Sequence, residues 1–519
     1  MPRLNKPLLI LIVLSAAFAL SACATPQKPA TPPSTAIKPS QNQLSPTALD
    51  ATPAAAAVAN ALPTATPTVV ATGTDTPIPT ITPTPLPLIP ISGCGDITQP
   101  GHYQLQNDIA SPADHDCFTV MSHNVVFDCD HHTIEGNTRD SKDNQYRYYA
   151  FFVHKFGFAM LETPTNIEIE NCNILHQRTG IFIGGANNVY VHDNVLSNNL
   201  NTVDSKRFGI FLGMTEGGGL RLDTVNGGRV ENNTANHEAI GIDIRDSDAI
   251  IVRNNTASGN SAWGISLLNT SHSQVLSNTV SDNIRYCQWG NGTIGRGCDA
   301  GGIILHDGAS HNVVAGNTVT GENGNGIFIK AHGSRCGDDN LIENNKIIDA
   351  VYNAIEFSFC DHNRVIGNEI TGSYDAVFFG FSTNTEIRGN VIRNMTNHGI
   401  ISANSHGSVV ADNQIINARE GVYFYWASYD LKQFYFLTPT PDNYASRDNA
   451  IANNLLRDNS VAGIHLLNST QNQITDNTFA NNGKNVWIEG KNDGDVVSGL
   501  YPCRAKCTLL ALRAGNRPQ

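Results

Sequence analysis

Residues 325–330 read NGIFIK, and residues 353–358 read NAIEFS. In the first, Ile327 and Ile329 fall on one side of an extended chain and Phe328 and Lys330 on the other. Strict alternation over four or five residues specifies a short strand with one buried face. The phrase recurs as Gly180-Ile181-Phe182-Ile183, Gly209-Ile210-Phe211-Leu212, Gly241-Ile242-Asp243-Ile244, Gly264-Ile265-Ser266-Leu267, Gly302-Ile303-Ile304-Leu305 and Ala376-Val377-Phe378-Phe379. Later copies begin at Gly399, Gly421, Gly463 and Asn485. A second phrase alternates with it, a short β-branched run closed by Asn, as in NVYVHDNVL and SQVLSNTV. The closing Asn stands at 194, 233, 255, 278, 317, 345, 368, 390, 413, 454 and 477. Intervals of 22 or 23 residues recur, one is 28, and those near 40 hold insertions.

A period near 22 residues fits three short strands and their turns. Asn tolerates left-handed backbone and suits a sharp corner. Stacked corner asparagines can hydrogen-bond along a ladder. Coils of this kind stack about 4.8 Å apart, and none buries its apolar face alone.

With these features the chain resembles the right-handed parallel β-helix proteins. That group includes pectate-lyase-like enzymes, alginate epimerases, polygalacturonases and NosD-like periplasmic proteins. The openings CGDITQPGHYQLQNDI (94–109) and CFTVMSHNVVFDCDHHTIEG (117–136) resemble the NosD-like start of such a helix. The resemblance implies an all-β, right-handed parallel β-helix of about 13–14 coils over residues 93–490. It fixes no activity, because one fold hosts many.

The flanking segments differ in composition. Residues 1–23 read as an export signal, with Arg3 and Lys6 ahead of the apolar stretch Pro7 to Leu20. That stretch is short for a membrane span. Leu20-Ser21-Ala22-Cys23 resembles the lipobox of bacterial lipoproteins, which implies a lipidated Cys23 and a membrane or cell-surface location. Residues 24–92, rich in Pro, Thr, Ala and Ser, read as a disordered stalk. Its reach is roughly 50 Å as a coil and up to about 200 Å as extended polyproline. Residues 491–519 read as a cap or tail.

The net charge of −13 and pI near 5.7 argue against nucleic-acid binding. Of eleven cysteines, ten remain if Cys23 is lipidated. An even number in an exported chain suggests disulfides. Proximity in sequence pairs Cys94 with Cys117, Cys129 with Cys172, Cys287 with Cys298, Cys336 with Cys360 and Cys503 with Cys507.

The outward positions of the first phrase form two columns. One runs Phe152, Phe182, Phe211, Asp243, Ser266, Ile304, Phe328, Glu356, Phe378, Ile401, Tyr423, His465, Trp487. The other runs His154, Gly184, Gly213, Arg245, Leu268, His306, Lys330, Ser358, Gly380, Ala403, Tyr425, Leu467, Glu489. Asp243, Arg245, His306, Lys330 and Glu356 fall in five consecutive coils, between aromatics. Insertions at 136–148 and 283–300 precede this strand, and those at 213–228, 331–339 and 426–447 follow it. The strands are thus expected to floor a trough, with Trp426, Tyr429, Phe434, Tyr435 and Phe436 on one bordering loop.

Such a trough suits an acidic polysaccharide, with sugar faces on Phe182, Phe211, Phe328, Phe378, Tyr423, Tyr425 and Trp426. If the chain is a lyase acting by β-elimination, Lys330 or His306 is the base, Arg245 pairs the carboxylate, and Glu356 and Asp243 bind calcium or act as acid. Asp243 and Glu356, four coils or about 19 Å apart, stand too far apart for paired-carboxylate hydrolysis. A non-catalytic, monomeric glycan- or partner-binding module reads the same residues equally. A third reading is NosD-like copper handling through His154, His306, His332 and His465, which do not form a compact set. Calcium is the one cofactor suggested, with Asp246, Asp248, Asp338 and Asp339 as oxygen donors.

Overall fold

A computed structural model describes residues 88–136, 147–154, 163–200, 218–284, 301–331, 336–429 and 444–502, and the backbone of two short strands at 286–288 and 294–296. The signal sequence, Cys23, most of the stalk, Phe211 and the pair Cys503–Cys507 lie outside the described residues. So do the side chains of Cys287 and Cys298.

Three long parallel sheets run the length of the domain, with 16, 15 and 15 strands. The chain visits them in turn, so strands paired within a sheet come from successive coils. In one coil, Gln274–Leu276 lies in the first sheet, Thr279–Ser281 in the second and Gly301–His306 in the third. This is the parallel β-helix. It extends past both expected boundaries: Leu88–Ile91 pairs with Gly101–Leu105, and Val496–Ser498 pairs with Gln473–Thr475. Leu88–Ile91 therefore belongs to the helix rather than the stalk, and 496–498 to the helix rather than a tail.

The inward column is fully buried, as at Ile242, Ile265, Ile303, Ile327 and Ile355. The leading glycine has a packing reason: a Cβ on Gly326 would stand 2.6 Å from the Ala354 carbonyl oxygen of the next coil. Cys94–Cys117, Cys129–Cys172 and Cys336–Cys360 form disulfides, as the sequence spacing suggests.

The corner asparagines form the expected ladder. Asn278 Nδ2 donates to Asn317 Oδ1 at 2.9 Å, Asn317 to Asn345 at 2.9 Å and Asn345 to Asn368 at 3.0 Å. The same bond links Asn194 to Asn233 and Asn454 to Asn477, each at 3.0 Å. Each side chain also donates to backbone inside the coil, as Asn317 Nδ2 does to the Val275 carbonyl at 2.9 Å. One detail differs from expectation. The left-handed residue is the one before the ladder Asn: Asp193, Asn232, Asn254, Asn344, Asp412, Asn453 and Asp476 have φ between 52° and 58°. The ladder position needs an amide that donates and accepts; the preceding position needs tolerance of positive φ.

At the corner between the second and third sheets, Glu238 and Glu322 replace Asn in an analogous ladder. Asn199 Nδ2 lies 2.9 Å from Glu238 Oε1, and Asn283 Nδ2 lies 3.0 Å from Glu322 Oε1. Both carboxyls are fully buried, and burial holds their protonation well above the ordinary carboxylate range. A carboxyl raised in this way is stabilised in full below its ordinary pKa, and the contribution is lost as pH rises toward its folded value. Glu322→Gln is therefore expected to raise stability at pH 8 by about 1–3 kcal/mol and to change little at pH 4, measured by paired chemical-denaturation curves. Equal effects at both pH values would contradict the assignment.

Candidate functional site

The outer face of the third sheet carries the two expected columns, and backbone register confirms nearly all of them. Phe182 pairs with Phe152, His306 with Lys330, Phe328 with Glu356, and Tyr423 with His465. One coil is different. The strand between Thr179–Gly184 and Ile240–Arg245 is Gly218–Asp223, not the phrase beginning at Gly209. Arg221 and Asp223 therefore hold the positions expected for Phe211 and Gly213, and the insertion precedes this strand instead of following it.

That replacement changes the chemistry of the centre. Arg221 Nε and Arg245 Nε both donate to Asp243 Oδ2, at 2.8 and 2.7 Å. Asp243 is 2% exposed. Burial acts to raise its carboxyl, but Arg245 and Arg221 outweigh it and hold it below the ordinary range. Asp243 so enclosed is the counter-ion of two arginines through Oδ2, while its Oδ1 is buried without a hydrogen-bond partner among the described residues. His306 is equally enclosed: it is 2% exposed, its Nε2 lies 3.1 Å from Ser266 Oγ, and its ring lies 5.3 Å from that of Trp263. This burial argues against His306 as a base open to substrate. Phe328 is buried too, so its ring face is not open to a sugar. Lys330 and Glu356 are half-buried; the Lys330 ammonium lies 5.6 Å from the Phe328 ring, and Glu356 Oε2 accepts from Asn353 Nδ2 at 2.6 Å. The five polar residues thus share one face, with Asp243 and Arg245 paired and the charge of His306 also acting on Asp243.

Aromatics concentrate toward the two ends. Tyr149, Phe152 and Phe182 form a shelf with ring centroids 5.2–5.6 Å apart. Toward the other end, Tyr423 stacks between His398 and His465 at 5.2 and 4.7 Å, and His465 stacks on Trp487 at 4.1 Å. Tyr425 lies 5.1 Å from Tyr423. Trp426 and Tyr429 are 41% and 44% exposed. Phe378 is half-buried between the groups.

The sequence reading missed a chain of side chains beneath these rings. His398 Nδ1 lies 2.8 Å from Asp375 Oδ1, and its Nε2 lies 3.1 Å from Glu420 Oε2. Glu420 Oε1 lies 3.0 Å from His465 Nδ1, and His465 Nε2 lies 3.5 Å from Glu489 Oε1. Carboxylates flank both nitrogens of His398, with hydrogen-bond geometry at Nδ1 and an ion-pair contact at Nε2. Burial acts to lower that imidazole, and Asp375 and Glu420 more than reverse it. Burial acts to raise Glu420, but His398 and His465 outweigh it and bring it to about 2. Asp375, His398 and Glu420 occupy the strand position just before the repeated Gly or Ala, a third column that the sequence also displays.

Of the suggested calcium donors, Asp246, Asp338 and Asp339 lie between strands and Asp248 opens the strand Asp248–Arg253. Asp248 Oδ1 lies 2.7 Å from His272 Nδ1, and Asp338 Oδ1 accepts from the Asp361 backbone N–H at 2.6 Å. Among the described residues they form no common ligand set.

The family model for the right-handed beta helix region matches residues 119–280, 159–337 and 335–498. The chain belongs to the right-handed β-helix family. No curated protein matches it. Solved structures that the β-helix resembles include the A-module of mannuronan C-5 epimerase AlgE6 from Azotobacter vinelandii, at 14% identity and TM-score 0.43, covering 81% of this chain and 91% of that one. The periplasmic alginate epimerase AlgG matches at 11% identity and TM-score 0.38, covering 78% and 76%. Tailspike protein 3 of bacteriophage CBA120 matches at 11% identity and TM-score 0.44, covering 80% and 59%. At these scores the likeness says nothing of substrate.

Proposed function

We propose that the domain binds an acidic polysaccharide laid along the β-helix axis, across the strands of the third sheet. The observation that carries this reading is the single column in which rings recur at coil spacing: Phe152 and Phe182 toward one end, Tyr423 and Trp487 toward the other. Coil spacing of about 4.8 Å is close to the length of one sugar in a chain. A polymer can therefore meet successive coils in register, stacking on rings and pairing its carboxylates with Arg245 and Lys330 between them.

Binding is favoured over elimination by the enclosure of Asp243 and His306. A lyase would have to rely on Lys330 as base. Its nearest proposed carboxylate partner, Arg245, starts three coils away, about 14 Å along the axis. That spacing, about three sugars along a chain, suits two separate sugars better than two groups acting on one. We place the protein outside the cell, on the lipid anchor and stalk read from residues 1–92. The three disulfides fit an oxidising compartment.

The test is calorimetric titration of the full chain with polyuronates, run beside an absorbance assay for unsaturated sugar ends. Saturable binding without new absorbance is the expected result. Product formation abolished by Lys330→Ala would replace the binding reading with the lyase. No binding across a panel of uronate polymers would overturn both.

A further inference from the structure

A second cluster lies on the outer face of the first sheet, away from the glycan face. Strands His102, Asp128, Glu168, Glu170 and His192 belong to are Gly101–Leu105, Val125–Asp128, Thr165–Glu170 and Asn187–His192, four successive coils. Register places Asp128 beside Glu170 and Glu170 beside His192; Glu168 projects from the same face two residues before Glu170. One donor atom each from His102, Asp128 and Glu170 lie within 4.8 Å of one another, and so do those from Glu168, Glu170 and His192.

The local electrostatics are costly as they stand. Like charges directly opposite in a sheet repel, and here three carboxylates meet. His192 is 7% exposed, with Nε2 3.0 Å from Glu168 Oε1 and 3.6 Å from Glu170 Oε2, and Nδ1 2.6 Å from Asp193 Oδ2. The Asp193 contact matches the outer carboxylate that commonly orients a ligating histidine. A separate observation points the same way: His102 Nε2 is buried and has no hydrogen-bond partner among the described residues. Asp128 Oδ1 already accepts from the Asp130 N–H at 2.8 Å and Asn171 Nδ2 at 3.0 Å, which leaves Oδ2 for a cation.

We infer that His102, Asp128, Glu168, Glu170 and His192 form a binding site for a divalent first-row transition ion, with Glu170 shared between the two triads. Two imidazoles among carboxylates suit zinc and its neighbours, whereas calcium takes oxygen ligands. The ion would replace carboxylate repulsion with coordination and clamp four coils at the N-terminal end. The Cys129–Cys172 disulfide fastens two of the same coils at the adjoining corner.

The probe is zinc, titrated calorimetrically into chelator-treated full-length protein, with thermal melts at each step. Stoichiometric binding, at most one ion per triad, should raise the melting temperature. His102→Gln sits at a half-buried position outside the asparagine ladders and should preserve the fold, checked by circular dichroism. It should weaken zinc binding by at least the roughly 10–100-fold that losing even an outer partner costs; Glu170→Gln should do the same. Stoichiometric zinc binding untouched by both substitutions would place the ion elsewhere and overturn the assignment. So would no binding at all, or preference for calcium over zinc. Polyuronate affinity serves as an independent readout and should not change in either variant.

Discussion

Asp243→Ala is expected to destabilise the coils around it by about 3–5 kcal/mol, the cost of breaking a buried ion pair from one side. Arg221 and Arg245 both spend a guanidinium N–H on Asp243 Oδ2, and their side chains are only 11% and 15% exposed. Without the carboxylate, two cations would face one another across a single coil step with little water to screen them. In a solenoid such damage is local, because each coil contacts only its neighbours. The measurement is amide hydrogen exchange: faster exchange should appear in Gly218–Asp223, Ile240–Arg245 and Trp263–Leu268, while distant coils keep their rates. Removing all three charges with Arg221→Met, Asp243→Leu and Arg245→Met together should recover much of the loss, since apolar replacements of a whole buried ionic group are often neutral or better. Unchanged exchange in Asp243→Ala would show that the pair is solvated and not enclosed.

Glu420→Gln is expected to cost about 3 kcal/mol at pH 5.5 and to change the pH dependence of the C-terminal coils. Glu420 is held at about 2, against an ordinary 4.5. Its contribution is therefore present above 4.5 and lost as pH falls toward 2. His398 is shifted the other way, above its ordinary 6.5. Its contribution is present in full below 6.5 and lost as pH rises through the raised value. The chain Asp375–His398–Glu420–His465 thus stabilises most between about 4.5 and 6.5. Amide protection in His398–Ala403 and Glu420–Tyr425, corrected for the intrinsic exchange rate at each pH, should be greatest in that window for the native protein. The variant should lose that maximum. A native profile flat from pH 3 to 8 would contradict the ionic account.

The coil architecture was legible because the ladder asparagines and the Gly-Ile phrases impose chemistry that few other residues supply. Asn317, for example, must donate to one coil and accept from another at a fully buried corner. The coil at 218–223 was misread because GIFLG and GGLRLD alternate equally well. The turn after the strand would have decided it: two residues separate Gly184 from Asn187 and Arg245 from Asp248, and only a strand ending at Asp223 keeps that spacing before Asn226. The His398–Glu420 chain has a sequence signal of its own, since Asp375, His398 and Glu420 each stand just before the repeated Gly or Ala in successive coils. His192 and Glu170 are likewise legible by counting back from the Asn that closes the second phrase. The burial of Asp243, His306 and Phe328 was not legible. It depends on what covers the sheet, and strand periodicity reports only which side a residue faces.

The most direct test of the glycan-binding account is a polyuronate titration of the native chain against the double variant Tyr423→Ala, Trp426→Ala. The Tyr423 ring is half-buried on the proposed face, Trp426 is exposed just past the end of the same strand, and both lie outside the asparagine ladders. Stacking contributions of about 0.5–1.5 kcal/mol per ring beyond buried area predict a loss of roughly tenfold or more in affinity, with the fold retained by circular dichroism. Native affinity in a folded double variant would contradict the claim that this face holds the polysaccharide.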